Sequence, residues 1–156
     1  MTAGPVYCID TSAILEGRVR AYPPDHFVQL WQNIEQLIAS GRLVAPEEVR
    51  IELERKDDDV FGWAKGISNL FISYDTHQMR EVMLIANRFP LFVNNPKVKN
   101  RADPFVIALA KERGCIVVTE ERPGSPDSPK IPFVCDHFRV PHIRFLDIVR
   151  REGWRF

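Results

Sequence analysis

The feature of this sequence that most restricts its fold is a pair of short apolar runs, each followed directly by a carboxylate. Residues 6–9 read Val-Tyr-Cys-Ile and stop at Asp10, and residues 115–119 read Cys-Ile-Val-Val-Thr and stop at the pair Glu120–Glu121. Neither run alternates apolar with polar residues, which is typical of a strand that is covered on both faces, as in a parallel sheet. Both runs are therefore predicted to be buried strands.

Helix-forming segments alternate with short strands along the chain. After Asp25, which we expect to cap a helix, apolar side chains recur every three or four residues as far as Ile38, and Gly41 ends the segment. The alternation predicts an α/β protein with a three-layer α/β/α fold, a mostly parallel central sheet and a single domain over residues 1–156. Further strands are predicted at 43–45, 70–72 and 142–145, further helices at 46–56, around 61–63, from 76 to about 89, at 103–113 and before Gly153, and loops at 91–102 and 120–130.

The composition is that of a folded globular protein. Ten Phe and three Trp among 156 residues need a core, and this length fits one domain. The sequence lacks a run of about 18 apolar residues and the pattern of a signal peptide, so we expect a soluble, cytoplasmic protein with no membrane segment. The 21 basic and 21 acidic residues cancel, which excludes a polycationic nucleic-acid binder but allows a local basic loop such as Lys97, Lys99 and Arg101. The three cysteines are expected to be buried free thiols.

Acidic residues stand where they can meet at one end of the predicted sheet. Right-handed crossovers bring the carboxyl ends of parallel strands to the same side, where such folds bind ligands. Asp10 and the pair Glu120–Glu121 follow strands directly. Asp103 begins the helix that leads into the second of those strands, and Glu52 lies beside the apolar face of another helix. Carboxylates that share a cleft repel one another unless a cation is bound, and oxygen ligands favour Mg²⁺ or Mn²⁺, whereas no Cys/His spacing suggests zinc.

Four segments that contain these acidic residues resemble, in the same order, the four motifs of the PIN-domain ribonucleases. The segments are Tyr7-Cys8-Ile9-Asp10-Thr11-Ser12-Ala13, residues 46–53 with Glu52 before Leu53, residues 101–110 with Asp103, and Val117-Val118-Thr119-Glu120-Glu121. They span positions 7–121, which is most of the chain. The whole chain most resembles an uncharacterised prokaryotic branch of VapC-like toxins that ends in a similar Gly-Trp-Arg-Phe tail.

The resemblance implies a PIN-like fold and a set of site residues. Its implied metal ligands and catalytic residues are Asp10, Glu52, Asp103 and Glu121, with support from Ser12, Thr119 and Glu120. It also implies Mg²⁺ or Mn²⁺ as cofactor, RNA as substrate, an antitoxin protein as partner and a homodimer. One position departs from the family pattern, because Glu121 stands where the family usually has Asp and is one methylene longer. Glu120 could take its place if the register differs.

Each of the four proposed ligands also has a purely structural interpretation. Asp10 and Asp103 could each cap a helix, since Asp is a favoured cap and Pro104 suits a first helical turn. Glu52 could form a surface ion pair with a base on its own helix. Glu121 could be a solvated loop charge. The residues alone leave these alternatives open.

The resulting hypothesis is a metal-dependent endoribonuclease that hydrolyses RNA phosphodiester bonds, acting as the toxin of a toxin–antitoxin pair. The alternative is a catalytically inactive PIN-like module that binds RNA or a protein, because Glu121 replaces the usual Asp. A receiver-like phosphoacceptor at Asp10 is disfavoured, since such domains pair two acids early and place a Lys after the last strand. A dinucleotide-binding enzyme is excluded because no Gly-x-Gly-x-x-Gly follows a strand.

Overall fold

A parallel sheet lies at the centre of the fold. The computed structural model describes residues 4–94 and 102–156 of the chain. Within them the strands are β1 (Tyr7–Ile9), β2 (Leu43–Pro46), β3 (Phe71–Ile72), β4 (Ile116–Val118), β5 (Gly124–Ser125), β6 (Ser128–Pro129) and β7 (His142–Ile143). Five of these strands form an all-parallel sheet in the order β3-β2-β1-β4-β7, while β5 and β6 form a separate antiparallel hairpin.

Helices flank this sheet, which confirms the predicted α/β/α fold class. The helices are α1 (Thr11–Leu15), α2 (Val28–Ala39), α3 (Glu47–Lys56), α4 (Asp58–Lys65), α5 (Thr76–Arg88), α6 (Pro90–Asn94), α7 (Asp103–Arg113), α8 (Ile131–Phe138) and α9 (Phe145–Glu152). A π-helical segment, Glu16–Ala21, extends α1. Among the helices of the described ranges, none combines the length and the apolar character that crossing a bilayer requires.

The two apolar runs form neighbouring strands in the middle of the sheet. All three residues of β1 are at most 2% exposed, and the last two residues of β4 are fully buried. Both strands are thus covered on both faces, as continuous apolar runs predict. Ile9 lies opposite Val118 in the parallel register. The residues that follow them, Asp10 and Thr119, are therefore adjacent at the carboxyl end of the sheet, the end at which its parallel strands finish.

Most of the predicted apolar face of α2 is buried, although Phe27 at its start is exposed. The apolar face of α2 packs into the core through Leu30, Trp31, Ile34, Leu37 and Ile38. The three cysteines are buried and free, as predicted, and one of them lies in the middle of β1. The helix from Asp103 to Arg113 also has its predicted bounds, and Gly114 ends it in the left-handed conformation at φ +71°.

The helix α2 does not have its predicted cap, whereas α5 begins at Thr76 as predicted, directly after a cap at Asp75. Phe27, rather than Asp25, is the cap of α2, and Asp25 lies in the preceding turn. Asp75 caps α5: its carboxylate accepts a hydrogen bond from the backbone N–H of Gln78 at 2.9 Å, and the Gln78 side chain accepts one from the backbone N–H of Asp75 at 3.2 Å. This reciprocal capping box satisfies two N–H groups, which a lone Thr cannot do.

The two segments predicted as loops contain regular structure. α6 occupies the start of the first segment, and the β5–β6 hairpin lies in the second. Gly124 turns into this hairpin at φ +78°, where a Cβ atom would lie 2.3 Å from the carbonyl oxygen of Ser128. α8 was not predicted, because the prolines before it indicate a loop. However, Pro132 fits the first turn of a helix, and its neighbours Ile131 and Val134 are buried.

Candidate metal centre

Asp10 lies at the carboxyl end of β1 and is 2% exposed. It caps α1, since its Oδ1 accepts a hydrogen bond from the backbone N–H of Ala13 at 2.8 Å, and its Oδ2 accepts one from Thr119 Oγ1 at 2.5 Å. Burial raises the pKa of Asp10 to about 7; the Thr119 hydrogen bond opposes this rise, and the charge of Glu121 adds to it. A carboxylate has about four lone-pair sites, so capping leaves room for a ligand.

Two hydroxyl groups join the ends of β1 and β4. Ser12 Oγ donates to the Asp10 carboxylate, 2.8 Å from Oδ1 and 2.9 Å from Oδ2, and accepts a hydrogen bond from the backbone N–H of Glu120 at 3.0 Å. Thr119 Oγ1 accepts one from the backbone N–H of Glu121 at 3.1 Å. Both hydroxyls that the motif resemblance implies as supporting groups thus contact Asp10. Together they hold its carboxylate in one orientation.

Glu52 approaches the same region from α3 and is 6% exposed, so it is not a surface residue. Its Oε1 accepts a hydrogen bond from Thr11 Oγ1 at 2.8 Å, whereas its buried Oε2 has no hydrogen-bond partner among the described residues. Burial raises the pKa of Glu52; Thr11 and Lys56 lower it, and Glu121 raises it. A buried polar atom without a partner costs about 1–3 kcal/mol, which makes Oε2 a candidate ligand atom.

Asp103 is the first residue of α7 and is 8% exposed. Ala102 is the cap of this helix, so the interpretation of Asp103 as its N-cap is wrong. Burial raises the pKa of Asp103 well above its ordinary value, and the charges of Glu121, Asp10 and Glu52 raise it further. Asp103 is therefore electrostatically coupled to each of the other three acids.

The neighbouring acids Glu120 and Glu121 turn toward different helices. Glu120 Oε2 accepts a hydrogen bond from the backbone N–H of Phe145, the first residue of α9, at 2.7 Å. Glu121 Oε1 accepts one from the backbone N–H of Ile131, the first residue of α8, at 3.2 Å. Each carboxylate therefore satisfies the free amino end of a helix, and Glu121 is not simply a solvated loop charge.

The electrostatic effects of these two acids also differ. The charge of Glu121 raises the pKa values of Asp10 and Asp103. The charge of Glu120 acts on Tyr22 instead, where it adds to the rise in pKa that burial causes. Glu121 therefore acts electrostatically on Asp10 and Asp103, whereas Glu120 acts on Tyr22.

Asp10, Glu52, Asp103 and Glu121 form what we call the carboxylate cluster. In the described part of the chain, no three His, Cys, Asp or Glu side chains stand close enough together to enclose a metal ion as they are. The donors are nevertheless all oxygens, one of them lacks a partner, and three of the four acids have raised pKa values. A hard divalent cation would offset this repulsion. The chemistry of the cluster fits such an ion, although the cluster is open.

Thr11 is a contributor that the sequence did not reveal. Its side chain is 4% exposed and orients Glu52. A hydroxyl residue directly after Asp10 was the only signal, and its partner depends on how α3 packs. The predicted basic residues Lys97, Lys99 and Arg101 lie outside the described residues.

Comparisons with known proteins bear on both family and fold. A family model described as "Domain of unknown function (DUF4411)" matches residues 7–156. No curated protein matches the sequence at a significant level. A chain from the DNA-bound VapBC of Salmonella typhimurium is 15% identical with a TM-score of 0.55, over 91% of this chain and 99% of that chain. A chain from VapBC2 of Rickettsia felis, bound to a DNA fragment from its promoter, is 12% identical with a TM-score of 0.55, over 89% of this chain and 98% of that chain.

Proposed function

The chain belongs to the DUF4411 family and adopts the VapC-like PIN fold that its four motifs predicted, and we propose that it is a divalent-metal-dependent endoribonuclease. The observation that carries the proposal is the carboxylate cluster, in which burial together with the charge of Glu121 raises the pKa values of the acids at the end of β1, in α3 and at the start of α7. A fold alone does not fix a reaction, so the cluster supplies the chemical argument.

In this proposal the cluster holds Mg²⁺ or Mn²⁺. A bound ion would polarise a phosphodiester and lower the pKa of a water molecule. Neighbouring hydroxyl groups orient two of the proposed ligands. Ser12 and Thr119 hydrogen-bond to the Asp10 carboxylate. Thr11 hydrogen-bonds to Oε1 of Glu52, and Oε2 of Glu52 is left without a described partner. Glu121 would exchange its contact with the amino end of α8 for the ion.

The proposed reaction is hydrolysis of an RNA phosphodiester bond. The oxygen of a water molecule bonds to phosphorus, the bond between phosphorus and the 3′ oxygen breaks, and the 3′ oxygen takes up a proton. The products are a 5′-phosphate and a 3′-hydroxyl end. The water-excluded floor of the cluster, formed by the buried ends of β1 and β4, keeps the carboxylate charges poorly screened.

The solved relatives support a proposal about partners and biological role. Both come from VapBC assemblies that are bound to DNA. We therefore extend the proposal to a toxin that is paired with an antitoxin protein, that acts in the cytoplasm and that forms a homodimer. The whole chain would act as one domain.

A catalytically inactive PIN-like module that binds RNA or a protein is the second candidate. Two observations at Glu121 favour it: this Glu replaces the usual Asp, and its carboxylate already caps α8. In addition, no ready-made metal site is present among the described residues. This candidate predicts RNA binding that neither EDTA nor Mg²⁺ changes, with no cleavage product.

The deciding experiment is incubation of the purified chain with a mixed RNA pool in Mg²⁺, Mn²⁺ or EDTA. Glu52→Gln and Asp10→Asn are tested beside the wild type. The matched control is Glu54→Gln, which removes the same charge from an exposed position on the same helix. We expect cleavage with a divalent ion, loss of cleavage in EDTA and in both cluster variants, and wild-type cleavage in the control.

Two results would contradict the proposal. Cleavage that persists in EDTA or in Asp10→Asn excludes the cluster as the catalytic centre. RNA binding without cleavage, combined with an absence of heat on calorimetric titration with Mn²⁺, establishes the inactive module instead.

A further inference from the structure

A cavity of about 310 Å³ opens directly beside the carboxylate cluster, at the carboxyl ends of β4 and β7. Thr119 and Glu121 line it, and so do both residues of β7 and Arg144. The apolar side chains of Pro132 and Ile143 also line it. Its volume is at the lower end of the range for small-ligand pockets, which begins at about 300 Å³.

Arg144 supplies a cation at this cavity. Its side chain is exposed, and its guanidinium forms no salt bridge with any residue that the structure describes. The residue is held at its backbone, because its N–H donates to Asp147 Oδ2 at 3.0 Å at the start of α9. An anchored backbone with an unpaired planar guanidinium suits contact with a phosphate or stacking on a base.

His142 supplies a second planar group. Its Nε2 hydrogen-bonds to Asp136 Oδ1 at 2.8 Å, which orients the ring. Nδ1 has no partner among the residues that the structure describes. An oriented imidazole with one free nitrogen can hydrogen-bond to a base edge or stack on its face.

The two acids that line the cavity are both engaged. Asp147 caps α9 through Oδ2, and its Oδ1 lies 3.5 Å from Arg150 Nη1. Glu121 caps α8 through Oε1. Their charges are therefore partly offset by helix amino ends and by an arginine, whereas the Arg144 guanidinium forms no salt bridge with a described acid.

We infer that this cavity binds a nucleotide of the RNA, next to the phosphate that lies over the carboxylate cluster. Arg144 and His142 hold the base and the adjacent phosphate, and the apolar wall excludes water from the base. This inference rests on the proposed nuclease function and adds a sequence-reading subsite to it.

The test combines a cleavage readout with a binding readout that needs no cleavage. Random-sequence RNA is cut by the wild type, Arg144→Ala, Arg144→Lys, His142→Ala and Arg151→Ala, and the cut ends are sequenced. Arg151→Ala is the matched control, since it removes the same charge from an exposed position at the far end of α9. In parallel, AMP, GMP, CMP, UMP and inorganic phosphate are titrated in EDTA against ¹⁵N-labelled protein.

We expect Arg144→Ala to raise KM about tenfold, the scale of one lost base contact, and to flatten the base preference at one position beside the cut. Arg144→Lys should keep part of the affinity but lose the preference, and Arg151→Ala should match the wild type. In the titration, at least one nucleotide should shift the backbone amide signals of residues 142–147, and this binding should weaken in Arg144→Ala.

The outcomes separate the subsite from the nuclease. Wild-type KM and cut-site preference in Arg144→Ala would overturn the subsite and leave the nuclease intact. Equal binding of phosphate and nucleotides would also overturn it, because the cavity would then recognise an anion only. Nucleotide binding that depends on Arg144, in a protein that cleaves no RNA, would support the nucleotide site and overturn the proposed nuclease.

Discussion

The hydroxyl of Thr11 donates a hydrogen bond to Glu52 Oε1 across 2.8 Å, although the two residues lie 41 positions apart. Thr11 begins α1 and Glu52 lies within α3, so the bond connects the helices that follow two neighbouring strands, β1 and β2. Because this bond occupies one oxygen and no described group bonds the other, Glu52 is held in place with Oε2 unused. Thr11 is thus a positioning residue, which acts through Glu52.

Thr11→Val removes this hydrogen bond at nearly constant shape. We expect the apparent Mg²⁺ affinity in RNA cleavage to fall about tenfold, the lower end of the effect of groups that orient metal ligands. The free energy of unfolding should fall by about 1–2 kcal/mol, because a buried oxygen loses its partner. Thr11→Ser keeps the hydroxyl and should restore the metal dependence. A Thr11→Val protein with wild-type Mg²⁺ dependence would leave Thr11 with a structural role only.

Much of the fold follows from local sequence signals. The strands at 7–9 and 116–118 were predictable because their continuous apolar runs are buried on both faces, and α7 because Gly114 ends it. The cap of α2 and the existence of α8 were not predictable in this way. Asp25 has the chemistry of a cap but lies in the turn before the helix, and the signal of α8 is masked by the proline-rich segment that precedes it.

The candidate site was predictable only in outline. Parallel strands end on one side of a sheet, so the adjacency of Asp10 and Thr119 follows from the strand assignment and register. The orientations of the Glu120 and Glu121 side chains could not be predicted in this way. Each carboxylate binds the amino end of a helix, and one of these helices was not predicted. The ligand roles of the four acids remain predictions.

The metal-free protein should lose stability as the pH rises from about 4 to about 7. Burial raises the pKa of Asp10 from 3.8 to about 7. The folded state then binds more protons than the unfolded state in this interval, so the stabilisation is present below the unfolded pKa and is lost as pH rises through the folded pKa. The loss from Asp10 is at most about 4 kcal/mol, at about 1.4 kcal/mol per pKa unit.

Thermal denaturation at pH 5 and pH 8, in EDTA and in Mn²⁺, measures this effect. We expect Mn²⁺ to raise Tm more at pH 8 than at pH 5, because the ion binds the ionised carboxylates. Asp10→Asn, which cannot titrate, should show a flatter pH dependence in EDTA than the wild type. If Tm depended on pH in the same way in both proteins, the raised pKa could not belong to Asp10.

A separate network stabilises the opposite end of the sheet. Tyr7 donates its hydroxyl to Glu152 Oε2 at 2.6 Å, and Arg42 contacts both oxygens of Glu152 at 2.9 and 2.7 Å. Glu152→Gln should lower the free energy of unfolding in urea by about 2–3 kcal/mol, since hydrogen bonds to a charged group are lost. RNA cleavage at 25 °C should stay at the wild-type rate. A stability change within about 0.5 kcal/mol, as expected for exposed Glu54→Gln, would contradict the prediction.

The pair Glu120→Gln and Glu121→Gln separates helix capping from participation in the cluster. In each variant the Gln side chain keeps an oxygen that can cap the helix, α9 for residue 120 and α8 for residue 121. Each variant removes one negative charge, and the two positions are adjacent in the sequence. The charge of Glu121 raises the pKa values of Asp10 and Asp103. The charge of Glu120 instead raises the pKa of Tyr22. We therefore expect Glu121→Gln to lower kcat/KM for RNA by about 10²-fold, the scale of a lost electrostatic group at a reacting centre.

Glu120→Gln should stay within about threefold of the wild type, since a cap that keeps its acceptor costs little. Equal losses in the two variants would show that capping, and not ligation, is what Glu121 contributes.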